Sequence, residues 1–259
     1  MYSEERRRQI ASLTAVEGRV NVTELAARFN VTAETIRRDL AVLDREGVVH
    51  RVHGGAVANQ TFQTTEYPLD TRARSASGAK NSIAQAAVRF LPPSQGGIFL
   101  DAGTTTAALA DIIALQPQAK QWAIVTNSLS IALNLANSGL DEIQLLGGSV
   151  RSITQAVVGD TALRTLALLR AEVAFIGTNA LTLDHGLSTA DAQEAAIKSA
   201  MITNARKIVV LCDSTKMGTD YLVSFGSIAD IDVIITDSNA PESFVKALKE
   251  NNIEVVIAD

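Results

Sequence analysis

Apolar positions change their period along this chain. Over residues 3–47 they recur at helical spacing. Ile10, Leu13 and Val16 mark a first helix ending at Gly18. Leu25 and Phe29 mark a second, with Asn21 as its N-cap. Ile36, Leu40 and Leu43 mark a third, with Thr32 as its N-cap. A short turn, "NVT", separates the last two, which predicts a helix-turn-helix spanning residues 20–39. After Gly47 the stretch "VVHRVHGGAV" alternates around a Gly-Gly pair and predicts a two-stranded wing. Residues 58–80 are polar, rich in Thr and Ser, and without a sustained period; they predict a linker.

From residue 81 onward a different pattern holds. "GIFLDAG", "WAIVTNS", "EIQLLGG", "EVAFIGT", "KIVVLCD", "VIITDS" and "IEVVIAD" are short, nearly continuous apolar runs. Helical stretches such as "TTTAALADIIAL" and "AQEAAIKSAMITNA" lie between many of them. Strands of this kind, separated by helices, predict an α/β domain over 81–259 with a mostly parallel sheet covered on both faces. Ligands in such sheets bind beyond the carboxyl ends of the strands.

Charge and composition narrow the picture. The chain is net −5, yet residues 1–55 hold nine arginines against eight acids. With Ile36, Leu40 and Leu43 inward, Thr35 and Arg38 face out and Arg37 lies on the flank, where residues of a recognition helix reach DNA. Arg51 and His53 on the wing are available to the backbone or minor groove. A single cysteine, Cys212, excludes an intramolecular disulfide. No apolar run reaches the roughly 18 residues of a membrane span, and a cytoplasmic protein is expected. The histidines have no Cys or acidic cluster beside them, so neither a metal nor a cofactor is expected.

The strand ends carry the remaining chemistry. "LDAGTTTAAL" joins a strand to a helix through Gly103, and free N–H groups at a helix start suit an anion. Thr104, Thr105 and Thr106 add hydroxyls; Asp101 suits a sugar hydroxyl or a backbone amide. Asn127, Gly148, Arg151, Asn179, Asp213 and Lys216 fall at other strand ends. Glu194 and Lys198 stand four residues apart on one helix, a spacing that by itself predicts a surface ion pair. Arg72 and Lys80 predict a contact between domains or at a domain edge.

The run "TIRRDL" at 35–40, followed by Leu43, Gly47 and "RVHGGA" at 51–56, resembles the winged helix-turn-helix of the DeoR family of bacterial regulators. "DAGTTT", "VTNS", "LLGG", "FIGTNAL" and "CDSTKMG" resemble that family's sensor domain, whose sheet is related to ribose-5-phosphate isomerase. The resemblance covers nearly the whole chain. It implies a homo-oligomeric DNA-binding repressor, dimer or tetramer, of genes for sugar uptake and catabolism. It further implies an effector that is a phosphorylated sugar, such as a fructose phosphate, held by the Gly103–Thr106 loop and Lys216. The opening residues resemble actinobacterial members of the family. The isomerases carry an acidic turn where this chain has Asn179, and an amide is neither a general acid nor a base. Glu194 matches the isomerase base, so residual isomerase activity is one alternative; a second domain that only oligomerises is another.

Overall fold

The computed structural model describes residues 3–17, 19–52, 54–58 and 66–259. Two compact units divide the chain, with the change near residue 62.

The first unit runs α1 (Ser3–Glu17), β1 (Arg19–Asn21), α2 (Val22–Phe29), α3 (Ala33–Arg45), β2 (Val49–Val52) and β3 (Gly55–Ala58). Local chemistry sets the boundaries. Asn21 Oδ1 accepts the Thr23 N–H at 2.7 Å and starts α2. Asn30, at φ 51° and ψ 50°, ends it in the left-handed region. Thr32 Oγ1 accepts the Thr35 N–H at 3.2 Å and starts α3. Ile10, Leu25, Phe29, Ile36, Leu40 and Leu43 form the core with Val20, Val49 and Ala56. The wing has three strands in the order β1-β3-β2, one more than expected. The added strand is only three residues long. It approaches so closely that a Cβ on Gly55 would lie 1.9 Å from the Val20 carbonyl oxygen, so the second glycine of the pair serves strand pairing.

The second unit begins with α4 (Leu69–Arg74) and α5 (Ser77–Ala87), which corrects the reading of residues 69–80 as linker. Their polar sequences hide the helical period. There follow β4 (Gly96–Leu100), α6 (Thr104–Ala114), β5 (Trp122–Thr126), α7 (Leu129–Asn137), β6 (Ile143–Leu145), β7 (Ser149–Arg151), β8 (Ala156–Val158) and α8 (Asp160–Ala167). Next come β9 (Val173–Gly177), β10 (Ala180–Thr182), β11 (Gly186–Thr189), α9 (Ala192–Thr203), β12 (Ile208–Leu211) and β13 (Val223–Gly226). The chain closes with β14 (Val233–Asp237), α10 (Glu242–Glu250) and β15 (Glu254–Ala258).

Seven parallel strands form the sheet, in the order β15-β14-β12-β9-β4-β5-β6. They come from the seven apolar runs seen in the sequence. Alternate side chains feed opposite layers. Ile98, Leu100, Ile124, Phe175 and Val209 meet Ile83 of α5, Leu109 and Ile113 of α6, and Leu135 of α7. Phe99, Val125, Ile176, Val210 and Ile234 meet Leu166 of α8, Ile197 and Met201 of α9, and Phe244 of α10. With both faces covered, the inner strands β9, β12 and β14 have no polar alternation to show. Strands β10, β11 and β13 form a small antiparallel sheet, and β7 pairs with β8 as a hairpin. Chain direction through the sheet reverses between β4 and β9, and the crevice at such a switch point is where ligands bind.

Candidate functional site

In the first unit, α3 presents Arg37 and Arg38 to solvent, with side chains 57% and 80% exposed. Each approaches Glu34, at 3.6 and 3.4 Å, and pairs this exposed exchange readily for phosphate or base contacts. Thr35 is half-buried, its hydroxyl 2.9 Å from that of Thr32 at the helix start. Arg51 is exposed, and its N–H donates to Asp44 Oδ1 at 3.1 Å. His53 lies outside the described residues. Behind the exposed arginines, Asp39 is buried and bound by Arg6 of α1. Nothing in the residue pattern points to that pair, because a helical Asp beside two arginines resembles a solvated charge.

In the second unit a cavity of about 270 Å³ opens at the switch point. The β4–α6 turn contributes Ala102, Gly103, Thr104 and Thr105; the end of β9 contributes Gly177 and Thr178. The segment after β12 supplies Asp213 and Lys216, and Leu211 comes from β12 itself. Lys198 reaches in from α9, Lys80 from α5, and Thr71 and Arg72 from α4, flanked by Tyr67 and Ser75.

Gly103 is the N-cap of α6, and no side chain caps that helix. Its first amides therefore remain for whatever enters, and the helix dipole favours an anion there. Four cations surround this turn. Lys198 donates to Asp101 and, at 2.9 Å, to the Gly177 carbonyl. Lys80 donates to the carbonyls of Arg72 and Ser75. Burial pulls the Lys80 ammonium below its usual pKa, with Asp213 opposing. Burial, then the Arg72 charge, pulls Lys198 down to about 7. Asp101 is fully buried beneath the cavity, where it accepts the Gly177 N–H at 3.2 Å. Asp213 Oδ1 accepts the Thr215 N–H at 3.2 Å.

Of the eleven ligand candidates, Gly103, Thr104, Thr105 and Lys216 line this cavity. The others have structural partners. The Thr106 hydroxyl donates to the carbonyls of Asp101 and Gly103, both at 2.9 Å. Asn127 accepts the Ala102 N–H at 2.8 Å and donates to the Val157 carbonyl at 3.2 Å. Gly148 has φ +152°, and a Cβ there would lie 2.4 Å from the Val158 carbonyl oxygen. Asn179 accepts from Arg72 at 3.4 Å.

Arg151 and Glu194 sit together apart from the cavity lining. Arg151 Nη1 reaches Glu194 at 2.5 Å; Nη1 and Nη2 meet the two Glu66 oxygens at 3.0 and 2.7 Å, and Asp191 lies 3.4 Å from Nε. Thr154 also donates to Glu194. The surface pair expected between Glu194 and Lys198 is absent. Both are buried, and each takes a different partner because the sheet covers that face of α9. Lys80 and Arg72, expected to make a contact between domains or at a domain edge, line the cavity within the second unit. Lys198 was missed as a cavity residue, although a lysine among Ala, Ile and Met on a helix is a signal of a buried charge.

Comparison with known proteins agrees with this division. The model of the DeoR C terminal sensor domain matches residues 75–238, and that of the DeoR-like helix-turn-helix domain matches residues 6–62. An HTH-type transcriptional regulator GlpR of Haloferax volcanii is 34% identical, over 99% of this chain and 98% of its own. A putative aga operon transcriptional repressor of Escherichia coli O157:H7 is 31% identical, over 98% and 93%. Among solved structures, ribose 5-phosphate isomerase A of Methanocaldococcus jannaschii is similar with a TM-score of 0.41 and 18% identity, over 55% of each chain. A helix-turn-helix head and a switch-point sensor domain, matched in order over almost the full length, make this chain a member of the DeoR family of transcriptional regulators.

Proposed function

We propose that the protein represses genes of sugar uptake or breakdown, and that a phosphorylated sugar in the cavity sets its affinity for operator DNA. One observation carries the ligand half of this reading. Lys80, Lys198, Lys216 and Arg72 gather around the uncapped start of α6, with Asp213 and the buried Asp101 among them. That balance leaves positive charge for a phosphate dianion, and the Asp213 carboxylate at the cavity offers a partner for a sugar hydroxyl. The exposed arginines of α3 support the DNA half, and Arg51 on the wing is exposed as well. The names of the relatives, a regulator and a repressor, support the sign of the control. Two heads at operator spacing require a homo-oligomer, dimer or tetramer, acting in the cytoplasm where operator and effector meet. No described helix is long and apolar enough to cross a membrane.

Binding without turnover is the reading that Glu194 favours over an isomerase. Its carboxylate is engaged by Arg151 and Thr154 and is not part of the cavity lining. A thermal-shift and calorimetric screen of ribose 5-phosphate, fructose 6-phosphate and glucose 6-phosphate against the free sugars tests the ligand, since a ligand that prefers the folded state raises the midpoint. Gel shift with operator DNA follows. Phosphorylated sugars should bind and free sugars bind poorly. Equal binding of both, or isomerised product in stoichiometric excess by NMR, overturns the reading.

A further inference from the structure

Residues 66–75 lie between the first unit and the sensor core in the chain, and they carry α4. No residue of α4 is buried. Polar contacts hold the segment instead. Glu66 grips Arg151 at one end, and the Leu69 N–H donates to the Ile153 carbonyl at 3.0 Å. At the other end Lys80 clasps the carbonyls of Arg72 and Ser75. The joint to α5 is Ala76, at φ 50° and ψ 36°, a left-handed conformation that a side chain with a Cβ disfavours. The inner side of the segment, through Tyr67, Thr71 and Arg72, is a wall of the cavity. A segment without an apolar anchor shifts without opening a core, so it belongs to the part of a protein that moves at low cost.

Arg72 gives this wall a sense of occupancy. Its bond to Asn179 is long, 3.4 Å, and goes to a neutral amide oxygen. A phosphate oxygen would make a shorter, charge-assisted bond with the same guanidinium. A ligand shifts a conformation only through contacts that differ between the two states, and the Arg72 contact is one of these. We infer that residues 66–75 form a strap which a phosphate in the cavity draws inward through Arg72, and that the strap carries occupancy to the chain leading into the DNA-binding unit. Arg151 acts on this strap as a latch, through Glu66. The inference rests on the cavity being the phosphate site proposed above.

Hydrogen exchange of the full-length protein, with and without fructose 6-phosphate or inorganic phosphate, tests it. Amides at 103–107 report the cavity and amides at 66–75 report the strap. Both should slow, the strap by roughly threefold or more, as a local opening is suppressed. Protection at 103–107 without protection at 66–75 leaves the phosphate site standing and overturns the strap. Protection at neither overturns both. Glu66→Gln, an isosteric change outside the cavity lining, should speed strap exchange in the free protein. It should also bring the ratio of operator affinities with and without fructose 6-phosphate closer to one, because that ratio is the coupling between the sites. Unaltered exchange and an unaltered ratio in this variant overturn the latch.

Discussion

Arg6 Nε donates to Asp39 Oδ2 at 2.6 Å, and the two side chains are 9% and 7% exposed. This buried pair ties α1 to the helix that presents Arg37 and Arg38. Removing one partner strands a charge where water does not reach. Asp39→Ala should therefore cost about 3–5 kcal/mol of stability in the head. Replacing both residues, as Arg6→Met with Asp39→Leu, should recover much of the loss. Thermal unfolding of the single and double variants checks this; a single variant as stable as the parent refutes it.

Arg37→Ala and Arg38→Ala should leave the fold intact, because both side chains are exposed. Where the lost contact is to phosphate, binding to all sequences should weaken and the salt slope flatten by about 1. Where it is to a base edge, specificity should relax at one position by roughly 1–3 kcal/mol. Wild-type operator binding by both variants in a gel shift would remove α3 from the interface.

The cavity makes separable predictions for its two sides. Thr105→Glu places a carboxylate at the uncapped start of α6, where the ligand phosphate is expected. Phosphorylated-sugar binding should be abolished while ligand-free operator binding persists. Lys216→Ala should weaken phosphorylated sugars far more than free sugars. Calorimetric titration of both variants with the best ligand of the screen decides, and unchanged affinity in both relocates the phosphate.

Cys212 should resist thiol reagents until the sensor domain unfolds. It is buried at the end of β12. Burial and the nearby Asp213 and Asp237 carboxylates push its pKa up, so almost no thiolate forms near neutral pH. The rate of modification across a denaturant series should follow unfolding of the sensor domain. Rapid labelling of the native protein would contradict this burial.

The inner strands were legible because burial on both faces leaves an unbroken apolar run, and the head was legible because α2 and α3 each bury one stripe. Short or polar elements were not. β1 has three residues, α4 buries none, and β10, β11 and β13 are too short to show a period. At the cavity, Gly103 to Thr105 and Lys216 stood out as turn chemistry at strand ends. Lys198, Lys80 and Arg72 did not, since a charge on a helix has one sequence signature whether solvent or sheet lies opposite. Glu194 shows the limit most directly: its partners, Arg151 and Thr154, lie 43 and 40 positions away.

The strand order also governs synthesis. β4 finds its neighbour β9 only after residues 173–177 have been made, later in the chain than β5, β6 and the β7–β8 hairpin. Until then the nascent sensor offers β4 as a bare edge, with Ile98 and Leu100 in its run and unpaired amides along it. Such edges invite pairing with other chains. The head, built from local helical contacts, can complete its fold well before that edge is closed. A ribosome pausing near residue 170 would thus hold a finished DNA reader beside a sticky, half-made sensor.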